Sequence, residues 1–507
     1  MAEYSTLAAV DLGSNSFHCQ IGRVVGDQIY PLDSLREPVR LGAGLGEDKL
    51  LDDASQERAL VCLQRFGERL RGFDPHTVRA VGTNTLRVAK NAVAFLKKAR
   101  TALGFPIEVV AGREEARLIY VGVAHGLPAS RDRRLVVDIG GGSTEFIIGS
   151  GYKPQKLDSL FMGCVSYSLR FFPDGKVTKS AMKAAELAAR EELQPMARGF
   201  SRRNWQEAIG SSGTVRAIAE ILQLNGFDEG SITPAGVEGL RGYLIKCGDV
   251  NRAELAGLKP DRIPVLPGGV AIMGAVLSEL DIESMVAATG AMRQGVLYDM
   301  LGRIHRRDMR DVTVAQFMQR YHVDALQARR VGALAQSLYE KLTADAKEVD
   351  DSAPLLIAWA AKLHEIGISV SYSGYHKHSA YIIGSADMPG FSRDEQNRLA
   401  RLVLAHRRSL KKIYDSLDDG NDVVIALALR LAVLFSRGRA DVGVPSIQAR
   451  IQGRKFRFAL DGEWLAKNPL TVHALGAEVR EWERVGIEIR IPGLDELESA
   501  SELALAS

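Results

Sequence analysis

Residues 9–22 read AVDLGSNSFHCQIG, and residues 136–149 read VVDIGGGSTEFIIG. Displaced by 127 positions the two superimpose without a gap: Asp11 falls on Asp138, Gly13 on Gly140, Ser16 on Ser143, Ile21 on Ile148 and Gly22 on Gly149. Each copy is an apolar run, an acid, a Gly/Ser turn and a second apolar run. That pattern predicts a β-hairpin whose turn lacks bulk where something approaches the main chain closely. One such turn need only close a hairpin. Two copies with the acid in the same register predict two similar half-domains facing each other.

Successive amide N–H groups in a glycine turn form an anion-binding nest, and the hydroxyls of Ser14, Ser16, Ser143 and Thr144 would add donors. An acid at the strand end beside a phosphate nest makes chemical sense if a divalent cation lies between them, since Mg²⁺ prefers carboxylate, water and phosphate oxygens. The candidate carboxylates are Asp11, Asp138 and Glu145. His18 occupies the register of Glu145 in the first copy, so the ion is assigned first to Asp138 and Glu145. Residues 208–222 (AIGSSGTVRAIAEIL), 264–277 (PVLPGGVAIMGAVL) and 288–301 (ATGAMRQGVLYDML) read as further strand-to-helix turns. Each can aim a helix N-terminus at the same cleft, or serve only as a tight connection.

Between the two loops, GREEARLIYVGV (residues 112–123) reads as a helix. Leu118 and Ile119 are the i+3 and i+4 neighbours of Glu115, which places that acid in the middle of the apolar face. Glu114 falls at the edge, where it can pair with Arg117 on the polar side. A carboxylate on a buried stripe is expensive unless paired or used, and burial moves its pKa toward values suited to proton abstraction. VGTNTLRVAKNA (residues 81–92) joins a strand to a helix and presents Arg87 as a candidate phosphate ligand.

The chain has 507 residues, enough for three or four domains, and its 46% hydrophobic and 25% charged composition is that of a globular protein. A net charge of +3 gives no global attraction to nucleic acid. The four cysteines are scattered, with no metal or disulfide spacing, and suit a reducing compartment. With no signal core and no uninterrupted apolar span, a cytoplasmic protein without membrane insertion is expected, with peripheral membrane association left open.

The motifs DLGSNSFH (residues 11–18), GTNTLR, GREEARLIYVGV, VVDIGGGSTEF, MGCVS (residues 162–166), SSGT (residues 211–214) and RQGVLY (residues 293–298) occur in that order along the chain. Together they resemble the exopolyphosphatase/guanosine pentaphosphate phosphatase family, and the long bacterial exopolyphosphatases in particular. The resemblance implies an α/β, two-lobed actin/sugar-kinase-like (ribonuclease H-like) fold with a phosphate chain held between the lobes. Lobe I would span 1–125 and lobe II 126–302. It also implies Glu115 as the catalytic residue and Mg²⁺ at Asp138 and Glu145, with Asp11 nearby and K⁺ as a candidate activator. Phosphate contacts are implied at Gly13, Ser14, Asn15, Ser16, Arg87, Gly140, Gly141, Gly142, Ser143, Thr144, Ser211 and Gly213.

Past Gly302 the sequence turns charged and linker-like, and from Val312 to Arg439 its periodicity is helical. WAAKLHEIGISVSYSGYHKHSAYII (residues 359–383) resembles the all-helical HD metal-phosphohydrolase fold, which implies an all-α HD-like domain over 303–440. Glu365 stands where that family has its aspartate, and Val433 where a final metal-ligating aspartate would fall. The loss of hard oxygen ligands reads as a retired hydrolase domain. Its basic residues His376, Lys377, His378, His406, Arg407, Arg408, Lys411 and Lys412 could line a track for a long polyanion. RIQGRKFRFAL (residues 450–460) and VGIEIRI (residues 485–491) alternate, predicting a small α+β domain over 441–507.

The function expected from this reading is processive release of terminal orthophosphate from inorganic polyphosphate. Guanosine pentaphosphate (pppGpp) is the alternative substrate. An ATP-dependent kinase on the same two-loop architecture and a nonenzymatic polyphosphate or nucleotide sensor are the readings from other classes. The resemblance further implies a homodimer.

Overall fold

A computed structural model describes residues 6–128, 130, 132–304, 308–346, 349–411, 413–417, 420–440, 446–452 and 455–498. The chain divides into two compact units, Met1–Met309 with Pro389–Arg393, and Arg310–Met388 with Asp394–Ser507.

The first unit holds two sheets with the same topology. In one, β1 (Thr6–Leu12), β2 (Phe17–Val25) and β3 (Gln28–Glu37) form an antiparallel meander. Strands β4 (Val78–Gly82) and β5 (Ile107–Val109) continue in parallel on the far side of β1, giving the order β3-β2-β1-β4-β5. In the other, β6 (Arg133–Ile139), β7 (Thr144–Ser150) and β8 (Lys153–Leu160) form the meander. Strands β9 (Glu207–Ser211) and β10 (Val286–Ala287) complete the order β10-β9-β6-β7-β8. The sequence repeat is therefore a repeat of fold. Register Asp11↔His18 in one hairpin answers Asp138↔Glu145 in the other. Both meanders shift register at the same place, at Ile21/Gly22 and at Ile148/Gly149.

The equivalent central strands β1 and β6 of the two sheets are apolar on both faces because both faces are covered. Alternation sorts their side chains between two layers. Ala8, Val10 and Leu12 face one helical layer with Cys62, Phe66 and Phe95. Leu7 and Ala9 instead join Val136, Ile147 and Ile209 of the second sheet around Leu118, Ile119 and Val123 of the helix Gly112–His125. That helix thus fills the space between the sheets, together with Val296 and Leu297 of the helix Met292–Ile304. The strand-to-helix turns expected at 208–222 and 288–301 form, after β9 and β10. The one expected at 264–277 does not: a 3₁₀ turn, Ile263–Val265, precedes the helix Leu266–Glu279. Its glycines serve packing, since a Cβ on Gly268 would lie 2.7 Å from the Cys164 carbonyl.

The second unit is helical from Met309–Arg320 to Gly420–Phe435, and part of the expected linker, 305–307, lies outside the described residues. It ends in a three-stranded sheet, β11 (Gln448–Gln452) antiparallel to β12 (Lys455–Ala459) and β12 parallel to β13 (Glu488–Arg490). The four cysteines are free thiols. Among the described residues no helix is long and apolar enough to cross a membrane.

The helices Gly112–His125 and Met292–Ile304 meet backbone to backbone. A Cβ on Gly295 would sit 1.7 Å from the Leu118 carbonyl oxygen, and one on Gly122 2.1 Å from that of Ala291. Gly295→Ala is therefore expected to destabilise the first unit by about 1–3 kcal/mol through overpacking. A lowered midpoint of its thermal transition measures this, and an unchanged midpoint would show that the helices part freely.

Candidate active site

The turns that end β1 and β6 carry the repeat. A Cβ on Gly13 would stand 2.9 Å from the Ser16 carbonyl oxygen, and one on Gly140 2.9 Å from that of Ser143, so both turns are equally tight. The two turns also touch each other. A Cβ on Gly141 would come 2.9 Å from Ser14 Cβ, one on Gly142 2.2 Å from the Asn84 amide nitrogen, and one on Gly163 2.3 Å from the Gly141 carbonyl. The glycines are expected to admit a phosphate ligand to the main chain. At Gly141 and Gly142 the space is taken instead by Ser14 and Asn84, and the cleft lies beside that contact.

One cleft gathers most of the expected residues. Asp11, Gly13, Ser14, Asn15, Ser16, Glu115, Asp138, Gly140, Gly141, Gly142, Ser143 and Gly213 all line it. Four others lie behind its wall. Thr144 is fully buried and its hydroxyl donates to the Met162 carbonyl at 2.6 Å, while that of Ser211 donates to the Gly290 carbonyl at 3.1 Å. Glu145 accepts from the Ser159 hydroxyl at 2.9 Å. Arg87 donates to Glu115 Oε2 at 2.6 Å and to the Val110 carbonyl at 3.0 Å, so its partner here is the carboxylate. Several buried polar atoms on the cleft side have no hydrogen-bond partner among the described residues: the Asn15 amide nitrogen and oxygen, Ser16 Oγ, His18 Nδ1 and Asn84 Oδ1. Unsatisfied buried groups are rare in folded proteins, and here they point at an oxygen-rich ligand or water.

The cleft gathers charges of both signs. Burial pushes the Asp11 carboxyl up to about 7, with the charge of Glu115 adding to the rise and Arg293 opposing it. Asp138 is pushed up to about 6, mainly by burial and further by Glu115. Glu145 rises well above the usual range through burial and the charges of Glu115 and Asp138. Arg216, Arg262 and Arg293 line the same cleft. Burial lowers all three, and the charge of Arg36 lowers each of them further. His18, buried and surrounded by these arginines, is pushed down to about 3 and is neutral. An anion would relieve the arginines and a cation the acids.

Sequence reasoning missed this arginine wall. Arg216 and Arg293 stand in glycine-rich segments already singled out, but a helical arginine is usually solvated. Arg262 belongs to no motif. Ser212, also on the cleft, holds a left-handed backbone at φ 95°, and its hydroxyl accepts from the Thr214 and Val215 amides at 3.2 Å each. Glu114 corrects the helical-wheel reading. It does pair with Arg117, by two bonds of 2.8 Å, but no polar side exists: Glu114 is 2% exposed. Arg117 also reaches Asp299 at 2.5 Å, and Arg79 bridges Asp299 and Glu108. A helix packed between two sheets has no solvent face, so its second acid needs this internal network.

The donor set fits Mg²⁺ of the kind held by one or two carboxylates, with water and substrate phosphate completing the shell. Mutually repelling buried acids gain from such an ion. Among the described residues no three His, Cys, Asp or Glu side chains converge as a complete protein cage.

In the second unit, Arg407 and Arg408 of the expected track line a separate cavity with Arg430, Arg437, Arg439, Tyr375 and His406. Arg407 lies over the Tyr375 ring at 4.6 Å. Lys377, His378 and Lys411 are not on that lining, and Lys412 lies outside the described residues. His376 was expected to contribute positive charge. Burial and the neighbouring charges of Arg407 and Lys377 instead push it down to about 4, leaving it neutral. His364 and His406 are buried as well, their Nδ1 atoms on the carbonyls of Ala361 and Val403, and Arg439 holds Glu365 at 2.5 Å.

The model of the Ppx/GppA phosphatase family matches residues 20–304, and that of Ppx/GppA phosphatase domain III matches residues 309–479. The chain belongs to the Ppx/GppA phosphatase family. Among solved structures, an exopolyphosphatase from Cytophaga hutchinsonii is 26% identical with a TM-score of 0.53, over 59% of this chain and 98% of that one. An exopolyphosphatase-like protein is 25% identical with a TM-score of 0.54, over 60% and 99%. The Ppx/GppA family member of Aquifex aeolicus, at 24% identity and a TM-score of 0.50 over 59% and 98%, shares the fold. This Ppx/GppA phosphatase places the paired loops, whose first copy precedes the matched region, and Glu115 on one cleft.

The raised acids make stability depend on pH. The unfolded Asp11 loses its proton near 3.8 and the folded one near 7. Between those values the folded state binds more protons than the unfolded, so stability falls as pH rises and levels off above about 7. Asp11→Asn removes this contribution. Thermal midpoints of variant and wild type, compared near pH 4, should differ by an amount that then shifts in the variant's favour up to pH 7. A pH-independent difference would contradict the raised carboxyl.

Proposed function

We propose that this phosphatase is an exopolyphosphatase, hydrolysing the terminal phosphoanhydride of inorganic polyphosphate to orthophosphate. The observation that carries the reading is a single cleft lined by the buried acids Asp11 and Asp138, by Glu115 and by the arginines Arg216, Arg262 and Arg293, together with both glycine turns. A linear polyanion suits the wall formed by Arg216, Arg262 and Arg293. The turn amides, with Ser14, Ser16 and the unpartnered Asn15 amide, would receive the oxygens of the terminal phosphate.

Glu115 is the general base: its carboxylate takes a proton from the water that attacks the terminal phosphorus in line, the bond from that phosphorus to the bridging oxygen breaks, the chain shortened by one unit leaves on that oxygen, and the attacked phosphorus is released as orthophosphate. Arg87, bonded to Glu115 Oε2 from behind the cleft wall, orients that carboxylate. Asp138, with Asp11 beside it on the cleft, would hold Mg²⁺, which when bound supplies charge neutralisation at the phosphate oxygens, while Glu145 behind the wall adds negative charge. In the second unit, the cavity lined by Arg407 and Arg408 would bind a polyanion on its own account. We read the surrounding helices as an HD-like fold without metal chemistry, because Arg439 engages Glu365 and Val433 offers no ligand.

Glu115→Gln should lower orthophosphate release from polyphosphate by about 10²–10⁴-fold while polyphosphate binding persists. Turnover retained by that variant would remove Glu115 from the mechanism. Release rates from polyphosphate and from guanosine pentaphosphate, measured in competition without an added acceptor, test the substrate. Faster loss of the nucleotide's 5′-phosphate would overturn the polyphosphate assignment, and release only with an acceptor would indicate a kinase.

A further inference from the structure

The sheet of the second unit carries a charge pattern that neither the cleft nor the track uses. Its strands alternate strictly: Ala449, Phe456, Phe458 and Ile489 are buried, while Arg450, Lys455, Arg457 and Arg490 are exposed. Register places Arg450 opposite Arg457 and Arg457 opposite Arg490. Three arginines therefore stand side by side, one on each strand, in a row of about 10 Å at the usual strand spacing of about 4.8 Å.

Like charges directly opposite one another destabilise a sheet. Counter-charge on this face is scarce. Glu488 sits opposite Lys455, with which it pairs at 3.0 Å, and it also pairs with Arg490. Arg450 and Arg457 have no ion-pair partner among the described residues. The other exposed positions opposite one another, Gln448 and Ala459, are uncharged. No aromatic side chain stands on this face among the described residues, so it lacks the stacking platform by which sheets bind single-stranded nucleic acid. An extended phosphate chain needs only the charges.

We propose that the Arg450–Arg457–Arg490 row is an accessory site for inorganic polyphosphate, separate from the catalytic cleft and from the Arg407 cavity. It retains long chains by counterion release. The inference rests on the exopolyphosphatase reading for its ligand.

The test uses the full chain and fluorescently end-labelled long-chain polyphosphate, with binding followed by anisotropy over a NaCl series. The triple variant Arg450→Gln/Arg457→Gln/Arg490→Gln should bind more weakly. Its slope of log affinity against log salt should be shallower by about 2, at roughly 0.7 per lost phosphate contact. Tripolyphosphate hydrolysis should be unchanged, and the thermal midpoint should not fall, because the repulsion removed outweighs the solvent-exposed Arg490–Glu488 pair that is lost with it. Arg457→Lys, which keeps the charge, should bind as wild type.

Equal affinity and slope in the triple variant, or a wild type that does not bind the probe, would overturn the proposal. So would a lowered midpoint accompanying the loss, or equal loss in Arg457→Lys, each of which marks a structural role. Loss of polyuridylate binding with polyphosphate binding intact would assign the row to RNA. A wild type that binds polyphosphate but releases no orthophosphate refutes the hydrolytic reading alone, leaving the binding comparison to decide the row.

Discussion

The site depends on a contact that leaves no room for a side chain. Where Gly141, Gly142 and Gly163 meet Ser14, Asn84 and one another, added carbons would fall 2.2–2.9 Å from atoms of the facing segment. Because the two hairpin turns touch there, the strands that end in Asp11 and Asp138 deliver both acids to one cleft. The matching topology of the two sheets makes the contact possible, since each half presents the same turn at the same strand end. Separated turns would be two surface loops, and their amides would be solvated.

The neighbouring glutamates of the central helix show how one environment produces two roles. Glu114 is enclosed by the arginine network of Arg117, Asp299 and Arg79, and it also accepts the Gly390 amide at 2.8 Å. Its charge is fully matched, which suits a structural acid. Glu115, one residue on, has Arg87 on one side and the cleft on the other. Around it Asp11, Asp138 and Glu145 are held toward their protonated forms and the facing arginines toward their neutral ones. The acids repel one another, and so do the arginines. The same arrangement makes the cleft receptive to a phosphate accompanied by a cation.

Much of this was legible in the chain because two of its signals are local. The repeat of AVDLGSNSFHCQIG in VVDIGGGSTEFIIG carries its own register, and a hairpin keeps that register whatever surrounds it. Glu115 was legible from a 3.6-residue period. The same period misplaced Glu114, because a helical wheel assumes one solvent face and this helix has none. Thr144 and Ser211 turn their hydroxyls to the carbonyls of Met162 and Gly290, partners supplied by distant segments. The arginine wall brings together residues 216, 262 and 293, which no spacing rule connects.

By itself, the sequence determined the doubled strand-turn-strand unit, the acid at each strand end, the glutamate on the apolar helix face and the helical character of the second half. These follow from backbone periodicity and from the small size of glycine, which act over a few residues. Tertiary structure alone decided that the glycines make room for one another's loops, that His376 is neutral, that Glu114 is buried and paired, and that Arg450, Arg457 and Arg490 form a row. Each of those outcomes depends on burial or on register between segments far apart in the chain. Desolvation and charge proximity act through space, and the linear order of residues does not specify those distances.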